Sequence, residues 1–311
     1  MANIRDIAKL TGYSVSTISR VINNNPYVDE KKRQEILRVM EQVNYIPNHT
    51  ARVLSSGKTK NIGVILPFVN HPYFDALLSG ITTSAFSRGY KVTLLPTRYE
   101  PAMEEEYLQE FAAKEFDALI VTSRANPLEK LLPYRAYGRM VFCEKIDSVA
   151  DGCTYIDREQ SIREVFAYFK ENGIERIGIT LGRSRTLSSN SKITVRLCKE
   201  YFPAFTEEMI FWDCLTEEDG SEAAAFFADK QVQAIFTNGD RVAAGIKLAA
   251  PAELLVIGRD NLFISEVLQF STIDYHLHEC GEMALKLAIQ EETGSIRIPY
   301  TFIKRRGLAP T

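Results

Sequence analysis

Val15, Ser16, Ser19 and Arg20 follow closely on one another near the start of the chain. They gather an aliphatic group, two small hydroxyls and a guanidinium, side chains that can tell base edges apart. A guanidinium forks to guanine, a hydroxyl reaches several edges, and an aliphatic group packs on a thymine methyl. At helical spacing these residues and Asn23 fall on one face, while Ile18, Val21 and Ile22 fall on the other. Ser14 stands where a helix N-cap is needed. Ser14, Thr17 and Asn23 are better placed for phosphate oxygens, where they position the helix and carry no sequence information. The pattern predicts a recognition helix for the major groove of double-stranded DNA.

Such a helix needs a small scaffold, and the flanking residues supply one. Ile4, Ile7, Ala8 and Leu10 form an apolar face at helical spacing, and Thr11-Gly12-Tyr13 supplies a turn in which Gly12 tolerates positive φ. A third helix starts from an Asp29 cap, with Ile36, Val39, Met40 and Val43 spaced to close a three-helix core. Pro47 to Lys60 reads as a linker. Within it Asn48 can cap HTARVLS, a helix of about two turns and too short to persist alone in water.

From Asn61 the texture changes to apolar strands alternating with helices. NIGVILP, YKVTLLP, DALIVT and RMVFC read as buried parallel strands, separated by helices over PYFDALLSGITTSAFSRG, PAMEEEYLQEFAAKE and PLEKLLPYRAY. RIGITL, MIFWD, AIFT and LLVIG repeat the texture, with helices beginning near Glu159, Lys192, Glu217 and Asp240. The expected fold class is α/β: a helix-turn-helix head, a hinge, and a body of two doubly wound lobes. The Glu104-Glu105-Glu106 run reads as a solvated first turn, and Asp240 as a helix cap.

Composition agrees with this division. The 311 residues are 45% hydrophobic and 25% charged, ordinary for a well-cored protein of about two domains. Net charge is only −3, but residues 1–60 hold ten Lys or Arg against five Asp or Glu, leaving 27 against 35 in the remainder. A head of +5 thus sits on a body of −8, which suits a module that neutralises phosphates. Five scattered cysteines without a CxxC pair argue against disulfides and structural zinc. The apolar runs are strand-sized and no charged segment leads into a long apolar one, so neither a signal peptide nor a membrane contact is expected and the cytoplasm is the expected location. GxGxxG, GxxxxGK[ST], HExxH and GxSxG are all absent, so neither an enzyme nor a cofactor is expected.

VSTISRVINN, the YIPN that follows, ARVL and NIGVI, in that order and spacing, resemble the lactose-repressor and purine-repressor family of bacterial transcription regulators. LPFVNHPYF and LLPTRYEP resemble the catabolite-control branch of that family. The resemblance implies a homodimeric repressor of carbohydrate genes on a palindromic operator. Its body would be periplasmic-binding-protein-like and crossed three times by the chain, with the last crossings near Ser271 to Tyr275 and Gly294 to Pro299. It implies a DNA-binding head over 1–47 and a hinge over 48–60. The first lobe would span 61–157 with about 275–292, and the second 158–274 with about 293–311. Val15, Ser16 and Arg20 match base-reading positions, and Ala51 and Leu54 match hinge contacts to DNA, with Leu54 as a minor-groove wedge. The lack of C-terminal leucine heptads predicts a dimer without a tetramer-forming tail.

For the cleft, the resemblance implies a sugar or sugar-phosphate effector. Tyr73 and Phe74 match aromatics that pack on it, and Lys192 falls where an effector-binding Arg is usual. Phe236 and Asn238 lie near the site, and Asp260 matches a carboxylate that binds a sugar hydroxyl or base nitrogen. Arg259 stands where the family usually has an aromatic, and the helix after Lys192 reads as truncated. An alternative partner for the body is a phosphocarrier-protein corepressor, docked without a small-molecule effector.

Overall fold

The computed structural model describes residues 2–23, 25–46, 53, 57–146, 152–182 and 189–305. The chain forms two compact units, residues 1–59 and 60–311.

The first unit holds α1 (Ile4–Thr11), α2 (Val15–Ile22) and α3 (Glu30–Gln42). Each starts on the cap its sequence offers. The Asn3 side chain accepts from the N–H groups of Arg5 and Asp6 while Asp6 accepts from Asn3, Ser14 accepts from Thr17, and Asp29 accepts from Lys32. Gly12, at φ 71, ends α1 in the left-handed region. Ile7, Ile18, Val21, Ile36 and Met40 form the core. Leu10, expected on the apolar face, is 60% exposed, because it lies at the edge of the face centred on Ile7.

The second unit is built on two six-stranded sheets. In chain order the strands are β1 (Asn61–Leu66), β2 (Lys91–Pro96), β3 (Ala118–Val121), β4 (Arg139–Phe142), β5 (Cys153–Ile156) and β6 (Ile177–Leu181). They continue with β7 (Ile210–Trp212), β8 (Ala234–Phe236), β9 (Leu255–Arg259), β10 (Ser271–Asp274), β11 (Ser295–Ile298) and β12 (Thr301–Ile303). The first sheet runs β11-β5-β4-β3-β1-β2 and is parallel throughout. The second runs β12-β10-β9-β8-β6-β7, antiparallel only where β12 meets β10. Both faces of the central strands are buried: Ile62, Val64 and Leu66 enter one apolar cluster and Ile65 the other. That explains why NIGVIL is continuously apolar.

The chain passes between the sheets after β5, after β10 and after β11. The last crossing differs from the expected boundary. Ser295 to Ile298 pair in register with Cys153 to Ile156, so these residues belong to the first lobe and the chain crosses at Pro299 and Tyr300. In the first lobe the Pro72–Ser87 and Leu277–Ala288 helices touch through glycines. A Cβ on Gly80 would run into the His278 carbonyl, and one on Gly281 into that of Leu77. Among the described residues no helix is long and apolar enough to cross a membrane.

Two helix starts depart from expectation. Glu104 is buried, its carboxylate accepting from the N–H groups of Ala125 (2.6 Å) and Asn126 (2.9 Å), so it ties a helix to the loop after β3. Asp240 does not cap its helix. It is buried in the first turn, accepting from the Leu262 N–H at 2.7 Å and the Thr272 hydroxyl at 2.6 Å.

Candidate DNA-reading face and effector cleft

On α2, Ser14, Val15, Ser16, Arg20 and Asn23 are exposed, and Thr17 and Ser19 half-buried. The Ser14 oxygen lies 2.9 Å from the hydroxyls of both Ser16 and Thr17, so the start of α2 carries a cluster of three small hydroxyls. Arg20 makes no side-chain hydrogen bond or ion pair among the described residues, which leaves its fork free for an external acceptor. The Tyr13 hydroxyl donates to Glu35 at 2.8 Å and so ties the turn before α2 to α3. Ala51 and Leu54, with most of the hinge segment, lie outside the described residues.

In the second unit a cleft of ≈ 730 Å³ opens at the carboxyl ends of the strands. Phe68 and His71, between β1 and the Pro72–Ser87 helix, and Tyr73 and Phe74 in its first turn, line it from the first lobe. Asn238 after β8, and Arg259 and Asp260 at the end of β9, line it from the second. Arg158, the residue after the first crossing, joins the two walls. Its Nη2 donates to the Tyr73 hydroxyl at 2.7 Å, and its guanidinium lies 4.6 Å from the ring centre of Tyr275 at the second crossing.

Charge in the cleft is unevenly balanced. Arg124 pairs with Glu144 at 2.7 Å and Arg297 with Asp157 at 3.2 Å. Arg259, 4% exposed, has the Phe236 ring 4.2 Å away and leaves Nε and Nη2 without a hydrogen-bond partner among the described residues. His71 Nδ1 is likewise buried and unpartnered. Burial, with Arg241 adding, lowers the His71 pKa and favours the neutral ring. Asp260 sits at φ 105, a strained backbone for a non-glycine residue. Burial pushes its carboxyl well above the usual range, Asp240 adding and the guanidinia of Arg158 and Arg259 opposing. Asp240 itself is pushed up to about 7, chiefly by burial.

Residues 3–48 match the family model described as bacterial regulatory proteins, lacI family. Residues 59–306 match that of periplasmic binding proteins and the sugar binding domain of the LacI family. The chain is 39% identical over 310 residues to catabolite control protein B of Bacillus subtilis, covering 98% of this chain and all of that one. The chain belongs to the lacI family of bacterial regulatory proteins. It is a DNA-binding transcriptional regulator. The sucrose operon repressor of Pediococcus pentosaceus is 26% identical over 92% of this chain and 91% of its own. The lac repressor dimer bound to operator and an anti-inducer shares the fold, with a TM-score of 0.83 at 19% identity over 99% of each chain.

Against the family's pattern, the structure brings Tyr73, Phe74, Asn238 and Asp260 to the cleft and leaves two expected residues out of its lining. Lys192 is exposed on the Ser189–Tyr201 helix, whose Asn190, Ser191 and Ile193 line the cleft in its stead. That helix spans 13 residues and contains Lys192, where the sequence suggested a shortened helix following it. Phe236 is fully buried beneath Arg259, its ring 5.5 Å from Phe166. Asn238 has little left for a ligand, since Thr180 donates to its Oδ1 at 2.7 Å and its Nδ2 donates to the Cys214 carbonyl at 2.7 Å. Arg158 and His71 were missed as lining residues. Arg158 stands two residues after CTYI, a four-residue strand with no legible pattern, and His71 lies just before Tyr73 and Phe74, the aromatics expected at the cleft.

Proposed function

We propose that the protein is a homodimeric repressor that reads a near-palindromic operator with Val15, Ser16 and Arg20, and that a sugar or sugar phosphate in the cleft modulates it. The observation that carries the effector reading is the unpartnered polar lining. A cleft of ≈ 730 Å³ has ligand size, and it holds donors of Arg259 and the Nδ1 of His71 that no described residue satisfies. Tyr73 and Phe74 offer apolar ring surface, and Asp260 a carboxyl for a diol. Relatives include regulators named for sucrose and ribose operons.

A ligand touching both walls binds the closed body better than the open one. Closure turns the lobes about the crossings, where Arg158 links Tyr73 to Tyr275. The linker runs straight into β1 of the first lobe, so in a dimer closure alters the spacing of the two DNA heads. Calorimetry or thermal shift with a panel of sugars and sugar phosphates tests this, because a cleft ligand raises the melting temperature by mass action. If none does so while a serine-phosphorylated carrier protein changes operator affinity, the corepressor-docking reading replaces it.

A further inference from the structure

Arg259 is the cleft residue whose needs are least met. Its Nε and Nη2, both orphaned, form one edge of the guanidinium and point their hydrogens in parallel, the geometry that takes two oxygens of one phosphate or carboxylate. The face of the same group is held on Phe236, which fixes the direction of that edge. The rim cations Arg124 and Arg297 already have carboxylate partners. Arg158 hydrogen-bonds only a neutral hydroxyl, and neither it nor Arg259 meets a carboxylate at ion-pair distance among the described residues. The Asp260 carboxyl acts on both guanidinia without meeting either at ion-pair distance, and burial disfavours its charged form, so an anion that pairs with these cations directly is favoured.

We propose that the cleft takes an anionic polyol, a sugar carrying a phosphate or carboxylate, and that Arg259 forks its oxyanion through Nε and Nη2. Arg158 adds the second positive charge, and His71 Nδ1 and Asp260 are left for hydroxyl groups. A neutral sugar can set two vicinal hydroxyls on that edge but brings no negative charge, so it leaves the buried cation uncompensated. This inference rests on reading the cleft as the effector site and narrows the effector to a charge class.

The test is calorimetry on the full-length protein with matched panels of neutral hexoses and pentoses, their phosphates and their sugar acids, plus inorganic phosphate. The expected result is that an anionic member binds at least about 10-fold tighter than its neutral parent, the scale of a hydrogen bond to a charged group. The phosphate and acid arms tell which oxyanion is used. Arg259→Met should remove that preference while ligand-free melting stays level or rises, since the orphaned charge is gone. Arg259→Lys, which keeps the charge but not the fork, should retain only part of it. Neutral sugars binding as tightly as their anions, or a preference that survives in Arg259→Met, overturns the anion inference and leaves the effector reading standing. Binding by no member of any panel overturns both.

Discussion

Arg20 is exposed on α2 with nothing to hold its guanidinium among the described residues, so its energy is available to an operator. A bidentate guanine contact discriminates by about 1–3 kcal/mol. Arg20→Ala should weaken operator binding and relax preference at one base pair in each half-site, as read by binding to single-substitution operator variants. Equal weakening on every variant would reduce Arg20 to a phosphate contact. Asp240 makes a different prediction. Its folded pKa of about 7 lies above the ~3.9 of an unfolded aspartate. Between those values the folded state holds a proton that the unfolded state has lost, so this contribution is complete below about pH 4 and gone above pH 7. Wild type should therefore lose stability relative to Asp240→Asn as pH rises from 4 to 7, measured as the difference in melting temperature. A difference that does not change over that range contradicts the assignment. Gly258 belongs to the same locus, since a Cβ there would strike Asp240 Oδ1. These two residues were not legible as a pair, because contact across strands leaves no mark on local spacing. Tyr73, Phe74 and Asp260 were legible as cleft residues through their motifs, whereas Lys192 is turned to the outer face of its helix and Phe236 is covered by Arg259.

Long apolar runs and capped amphipathic helices made most elements readable. NIGVIL, KVTLLP and the α1–α2–α3 head lie where hydrophobic period and caps put them. The strands without a legible local pattern, β5, β10 and β11, are four residues each, with SIRI polar at alternate positions because it edges a sheet. Their pairing is long-range, and no local pattern announces which lobe an edge strand joins. The glycine contact between the Pro72–Ser87 and Leu277–Ala288 helices was invisible for the same reason. Gly80→Ala should force these helices apart and destabilise the body by about 1–3 kcal/mol, the usual cost of overpacking, read from urea unfolding. An unchanged unfolding midpoint would show that the helices can separate freely.

The basic charge is gathered in residues 1–60 and the acidic excess in the remainder, which suits the first for neutralising phosphates. A two-fold dimer requires a site with dyad symmetry. Ultracentrifugation with operator should give a dimer at micromolar protein, and footprinting a symmetric protection; a monomer or an asymmetric footprint rules the dimer out. On the proposed function, filling the cleft changes how tightly the head holds DNA. The anisotropy of a labelled palindromic operator, titrated with protein in the presence and absence of a cleft ligand found by calorimetry, measures that change. The predicted result is a change in operator affinity on the scale of a site-to-site coupling, about 5- to 150-fold, that Asp260→Ala abolishes. An identical operator affinity with the cleft empty and saturated would contradict it.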